Sequence, residues 1–192
     1  VMSFGFISGN DTPVIWRGPL VARMTEQFFR DVEWGDLDVL ILDLPPGTGD
    51  IQLTLTQKLQ MTGAVMVTTP QDIALADVRK GSDMFRKVNT PVLGIIENMS
   101  GLILNGTTDS ANAKIKIDNK NIDINKDGSF KIKIDLFKIG GGKQESERLG
   151  VPMLGYIPLS EKIMDSTDLG IPLALETPVS SIGQIYLDIA DK

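Results

Sequence analysis

Residues 37–50 constrain the fold more than any other stretch: Leu-Asp-Val-Leu-Ile-Leu-Asp-Leu-Pro-Pro-Gly-Thr-Gly-Asp. A short apolar run closes on Asp43, the chain breaks at Pro45, Pro46 and Gly47, and a helical pattern opens at Asp50. Apolar runs of this length bounded by turn residues suit a parallel strand covered on both faces. In open α/β sheets, ligands gather at the carboxyl ends of such strands. The pattern therefore predicts a buried strand that carries Asp43 to a ligand.

A carboxylate in that place can hold Mg²⁺ through a water while the ion bridges nucleotide phosphates. Gly47 and Gly49 have no Cβ, so the backbone can approach closely, and Gly47 can offer its N–H to a terminal phosphate. This is the chemistry of a Walker B strand and the switch loop after it. A strand-end Asp that caps the next helix is the alternative, and the short run alone does not choose between them.

Strands and helices alternate along most of the chain. Strands are predicted at 1–7, 63–69, 91–98 and 151–157. Helices are predicted at 20–32, 51–60, 73–88 with Asp72 as N-cap, 160–164 opened by Ser160, and 180–190, with a loop at 166–172. Short connections between alternating elements give a mostly parallel α/β sheet with flanking helices. Three strands then deliver Asp43, Thr69 and Asn98 to one edge. The Asn98 amide can match the donor and acceptor pair on an adenine edge, and a turn-forming asparagine is the alternative. Trp16 and Arg17 read as a core residue and a surface or ion-paired one.

Three strings together, Thr12-Pro-Val-Ile-Trp-Arg-Gly-Pro19, Asp43-Leu-Pro-Pro-Gly-Thr-Gly-Asp50 and Ile96-Glu-Asn-Met-Ser100, resemble the Mrp/ApbC family. These are P-loop ATPases of the MinD/ParA type that act as iron-sulfur cluster carriers. The resemblance covers 1–101 and resumes at 137–192. It implies a SIMIBI-type P-loop NTPase fold with ATP and Mg²⁺ as cofactors. In it Asp43 holds Mg²⁺ via water, Gly47 meets the γ-phosphate, and Asn98 contacts adenine. Pro158 and Leu159, in Gly155-Tyr-Ile-Pro-Leu159, would pack against the base. The family works as a homodimer and serves iron-sulfur apo-proteins.

Two features of that family are missing. No G-x-x-x-x-G-K-[ST] phosphate loop occurs in residues 1–192. The family's Cys-x-x-Cys pair is absent too, because the chain has no cysteine, and it has no histidine either. Disulfides, thiolate or imidazole metal sites and Cys or His nucleophiles are thereby excluded. The usual cluster bridged between subunits cannot form from these residues. The front end of the fold, with its phosphate loop, is expected to lie before Val1 in a longer protein.

In place of the cysteine pair stands a segment of different composition. Lys114-Ile-Lys-Ile-Asp118 recurs as Lys131-Ile-Lys-Ile-Asp135, with Asn121-Ile-Asp-Ile-Asn125 between them. Alternation with period two predicts a three-stranded antiparallel meander at 105–135, its Ile residues and Phe130 forming one apolar face. The expected organisation is a partial P-loop NTPase domain at 1–104 and 136–192 with this insert. Asp123-Ile-Asn-Lys-Asp-Gly128 matches the start of a calcium loop, but Ile134 occupies the position of the closing glutamate, so a hairpin turn is the reading. Gly140-Gly-Gly142 before a helix reads as a structural connection.

With a net charge of −6 and pI near 4.7, the chain carries no basic stripe suited to nucleic acid. No apolar run reaches 18 residues, so no membrane span is expected, and cytoplasm is the default location. The function expected is a portion of an ATP-binding iron-sulfur cluster carrier, inactive alone. A MinD/ParA-type regulatory ATPase with protein cargo, and a non-catalytic binding module using the insert, are the alternatives.

Overall fold

The computed structural model describes residues 1–3, 5–8, 18–44, 49–109, 114–117, 120–137 and 139–192. Trp16 and Arg17 lie outside them. The chain divides into two compact units, 1–63 with 80–91, and 64–79 with 92–192.

In the second unit, strand β2, Val92–Thr107, is the axis of the sheet. The β-branched run of Val92, Ile95 and Ile96 favours a pleated, covered strand. β1, Ala64–Thr68, pairs parallel to one edge of it. β6, Met153–Leu159, pairs parallel on the other edge. Alternation sets the faces of β1: Ala64, Met66 and Thr68 are buried while Val65 and Val67 are exposed. Leu75, Ile95, Leu154 and Ile157 belong to the core. Helices α5, Gly141–Leu149, and α7, Ser181–Ala190, both pack on this sheet. Helix α6, Glu161–Leu169, follows β6. Ser160 caps α6 as expected, accepting from Lys162 N at 3.2 Å, and Ser180 caps α7, accepting from Gly183 N at 3.1 Å.

Beyond Asn98, β2 bends through a left-handed Met99, φ 55°, and Gly101, φ 121°. It then continues antiparallel to β5, Ser129–Ile134, from Leu102 opposite Ile134 to Thr107 opposite Ser129. Phe130 lies over Gly106, where a Cβ would come within 2.3 Å of the ring. A hairpin of β3, Ile115–Ile117, and β4, Lys120–Ile122, forms the small second sheet, and an Ile124 to Phe130 bridge leads back toward β5. The antiparallel insert is present, but the last of its three expected strands takes the extension of β2 as its main partner. At the calcium-like stretch, Asp127 Oδ1 accepts from Ser129 N at 3.0 Å and from Ser129 Oγ at 2.7 Å. The chain turns there with Gly128 at φ 80°. Those bonds hold the Asp127 carboxyl below the usual carboxylate range.

The first unit is helical. α2, Gly18–Asp31, packs on α3, Asp50–Lys58, and Lys58 Nζ bridges to Glu26 at 2.8 Å. α4, Asp72–Lys87, has Asp72 as its first residue and contributes buried Met84 and Phe85 to this unit from its second half.

Three expectations are corrected. Residues 37–44 form no strand, and Val39 and Ile41 stand 74% and 87% exposed. An apolar run becomes a buried parallel strand only with ladder partners and covering layers. Among the described residues this run has no ladder partner. The start of the chain, expected as a strand, instead holds the single helical turn α1, Gly5–Ser8, with Gly5 N donating to Ser3 Oγ at 3.2 Å. Finally, α6 runs through the expected loop to Leu169 before a left-handed Gly170. Ser166 and Thr167 are compatible with that helix because their hydroxyls bond Ile171 O and Ile163 O.

Candidate nucleotide-base site

Asn98 sits opposite Ile157 in the parallel ladder between β2 and β6, and Leu159 pairs with Leu102 past the bend. The structure thus brings Asn98, at the bend of β2, and the Pro158-Leu159 end of β6 to neighbouring strands of one sheet. Asn98 is half-buried, and its Oδ1 accepts from Met99 N at 2.9 Å. An amide oxygen has two lone pairs and the amide nitrogen two protons, so acceptor and donor capacity remain for a base edge. Pro158 is buried and Leu159 half-buried, so Leu159 offers the accessible apolar surface of the pair.

Asp43 is placed differently from the expectation. Asp43 is exposed in an irregular segment rather than at a buried strand end, and Gly47 lies outside the described residues. Of the residues expected at one edge, Thr69 directly follows β1 and Asn98 lies on β2, its parallel partner.

Sequence reasoning left out the role of Glu97. Alternation sends its side chain to the face opposite Asn98. There it is only 3% exposed, and its Oε2 accepts from Gly142 N at 2.7 Å, capping the start of α5. The three glycines at the start of α5 are explained by this packing. Gly140 is left-handed at φ 79°, and a Cβ on Gly141 would meet Pro70 O at 2.7 Å. A Cβ on Gly142 would meet Glu97 Oε2 at 3.0 Å. A protein carboxylate fills the anion-accepting end of the helix, which supports the structural reading of this run. A cavity of about 250 Å³ on the same side is bordered by Pro70, Glu97, Met99, Gly101, Phe137 and Tyr156. Burial, with the negative charges of Glu97 and Glu147, raises the Tyr156 phenol and keeps it neutral.

A second buried carboxylate, Glu145, anchors α5. Arg79 Nε reaches its Oε2 at 3.1 Å and Arg148 Nε reaches its Oε1 at 2.7 Å. Burial pushes the Glu145 carboxyl upward, but hydrogen bonds from Arg148 and Arg79 and their positive charges outweigh it, leaving it below the usual range. The i, i+3 spacing of Glu145 and Arg148 was visible as a helical pair, whereas Arg79, 66 residues away, carries no local signal.

The parallel sheet with flanking helices has counterparts among solved structures. The fold is shared with the cell division ATPase MinD of Pyrococcus furiosus, with TM-score 0.54 and 18% identity over 91% of this chain and 57% of that one. A nucleotide-binding protein from Archaeoglobus fulgidus, solved in complex with ADP, is similar with TM-score 0.57 and 33% identity over 79% of this chain and 53% of that one.

The ParA family model, described as NUBPL iron-transfer P-loop NTPase, matches residues 1–129 and 117–192, and the chain belongs to that family. An iron-sulfur cluster carrier protein of Pseudomonas fragi is 42% identical over 99% of this chain and 58% of its own length. One from Aquifex aeolicus is 40% identical over 99% of this chain and 46% of its own. The iron-sulfur cluster transfer protein NUBPL of Mus musculus is 38% identical over 100% and 53%. The chain spans about half the length of the curated relatives it matches. Among the described residues no helix is long and apolar enough to cross a membrane.

Proposed function

We propose that this chain forms part of an ATP-binding iron-sulfur cluster carrier and supplies its base-recognition edge. The observation that carries the reading is the placement of Asn98 beside the Pro158-Leu159 strand end, in a chain whose relatives are cluster carriers. Asn98 would read the adenine edge and Leu159 would cover one face of the base. From the family resemblance, Asp43 would hold Mg²⁺ through a water and Gly47 would donate to the γ-phosphate. A homodimer that passes clusters to iron-sulfur apo-proteins is the assembly the family resemblance implies.

The donor set of this chain does not fit a cluster. It has no cysteine or histidine, and no group of three or more carboxylates among the described residues could hold a metal ion. Any cluster delivered would take its thiolates from outside these 192 residues. That fact favours a second reading, a regulatory ATPase of the MinD type with protein cargo. Iron and sulfide analysis after anaerobic reconstitution bears on the choice: retained iron would show that ligands beyond these residues hold a cluster and would favour the carrier.

Base recognition is tested by amide spectra of isotope-labelled protein titrated with millimolar AMP or GMP. AMP is expected to shift the Asn98 side-chain signals and GMP to leave them in place, and Asn98→Ala is expected to abolish the preference. Equal responses to both nucleotides, or a preference that survives Asn98→Ala, would reject the reading.

A further inference from the structure

Asn98 does its proposed work at the point where β2 stops being a regular strand. The next residue, Met99, has φ 55°, and the amide of that residue is what Asn98 Oδ1 holds at 2.9 Å. A left-handed methionine is strained, costing of order 1 kcal/mol, and persists only where its surroundings fix it. Two contacts flank it. On one side Gly101, at φ 121°, lies against the end of β5, where an added Cβ would sit 3.1 Å from Ile134 O. On the other side Glu97 is tied to Gly142 N at 2.7 Å from an almost fully buried position.

Consecutive residues of a strand cannot rotate independently, since turning one backbone unit reorients both side chains. Fixing the Glu97 carboxylate to α5 therefore fixes the direction in which Asn98 leaves the opposite face. The tight fit around Gly142, whose Cβ would stand 3.0 Å from both Glu97 Cβ and Oε2, leaves the carboxylate little room to move. We propose that Glu97 is a positioning residue for base recognition. Through its bond to Gly142 N it locks the β2 bend and holds the Asn98 amide in one orientation. The inference rests on the reading of Asn98 given above, and Glu97 itself touches no nucleotide in it.

The conservative variant separates positioning from charge. Glu97→Gln keeps a carbonyl acceptor of the same length for Gly142 N, and Glu97→Ala removes it. The test compares the 192-residue chain with both variants and Asn98→Ala, using circular dichroism for folding and amide spectra with and without millimolar AMP and GMP. Without nucleotide, Glu97→Ala is expected to move the Asn98 side-chain and Met99 backbone signals toward their values in unstructured peptide, while Glu97→Gln leaves them near wild type. With nucleotide, Glu97→Ala is expected to lower the AMP over GMP preference at least fivefold, and Glu97→Gln to restore most of it. Unmoved Asn98 signals in a folded Glu97→Ala protein would overturn the inference, as would a preference lost in Asn98→Ala but kept in Glu97→Ala. If Glu97→Ala does not fold, Glu97→Gln decides: displaced Asn98 signals in that folded variant contradict the proposal, and retained ones support it. Loss of preference in none of the variants, with the Asn98 signals still displaced by Glu97→Ala, would spare the positioning and reject the base-recognition reading.

Discussion

Glu145 shows how one buried charge can be tolerated. Its carboxylate is 1% exposed, yet both oxygens are bonded to arginines whose outer portions reach solvent. Its folded pKa is depressed, so between the folded and unfolded values the unfolded chain binds more protons and stability rises with pH. The contribution is full above the unfolded carboxylate value of about 4.3 and is lost as pH falls through the lower folded value. Glu145→Gln is expected to cost about 1–3 kcal/mol at pH 7 by weakening bonds to charged partners. Its urea midpoint should also fall less steeply than wild type between pH 5 and pH 3. An identical acid limb in both proteins would mean that other carboxylates govern acid unfolding. Glu145 illustrates what the amino-acid order conceals: a Lys-Gln-Glu-Ser-Glu-Arg string looks like a solvated helix face, and only Arg79 from a distant helix makes burial possible.

At the scale of elements, legibility followed the range of the information required. Ser160 was readable as a cap because an N-cap is a local matter of one hydroxyl and the N–H groups two or three residues on. β1 and β6 were readable because their apolar runs are short and cleanly bounded. The 37–44 run has the same local signal and remains exposed, since a strand also requires neighbours that a run of residues cannot specify. The extension of β2 into the insert was missed because the turn at Met99 carries a non-glycine residue at positive φ, which no turn pattern announces. The glycine run before α5 offers a direct check on the packing described for it. Gly141→Ala would force a methyl to within 2.7 Å of Pro70 O and 2.8 Å of Leu75 Cδ1. Overpacking against backbone is expected to cost about 1–3 kcal/mol, read as a lowered urea midpoint with an unchanged slope. An unchanged midpoint would show that α5 does not seat on the Pro70 turn.

At the scale of the whole molecule, the chain holds a parallel sheet in which Asn98 and Leu159 lie on neighbouring strands, and it lacks both a Walker A sequence and any thiolate. Base contacts alone give weak affinity. Charge-assisted bonds to phosphate contribute about 1.5–3 kcal/mol each, so forgoing three of them weakens binding by roughly three to six orders of magnitude. The central claim is that this polypeptide carries base recognition without phosphate recognition. Calorimetric titration of the 192-residue chain with Mg-ATP, beside Asp43→Ala and with circular dichroism to confirm folding, tests it most directly. The account expects no detectable heat at micromolar concentrations from either folded protein. Micromolar binding that Asp43→Ala abolishes would contradict it, by showing that residues of this chain complete a phosphate and magnesium site on their own.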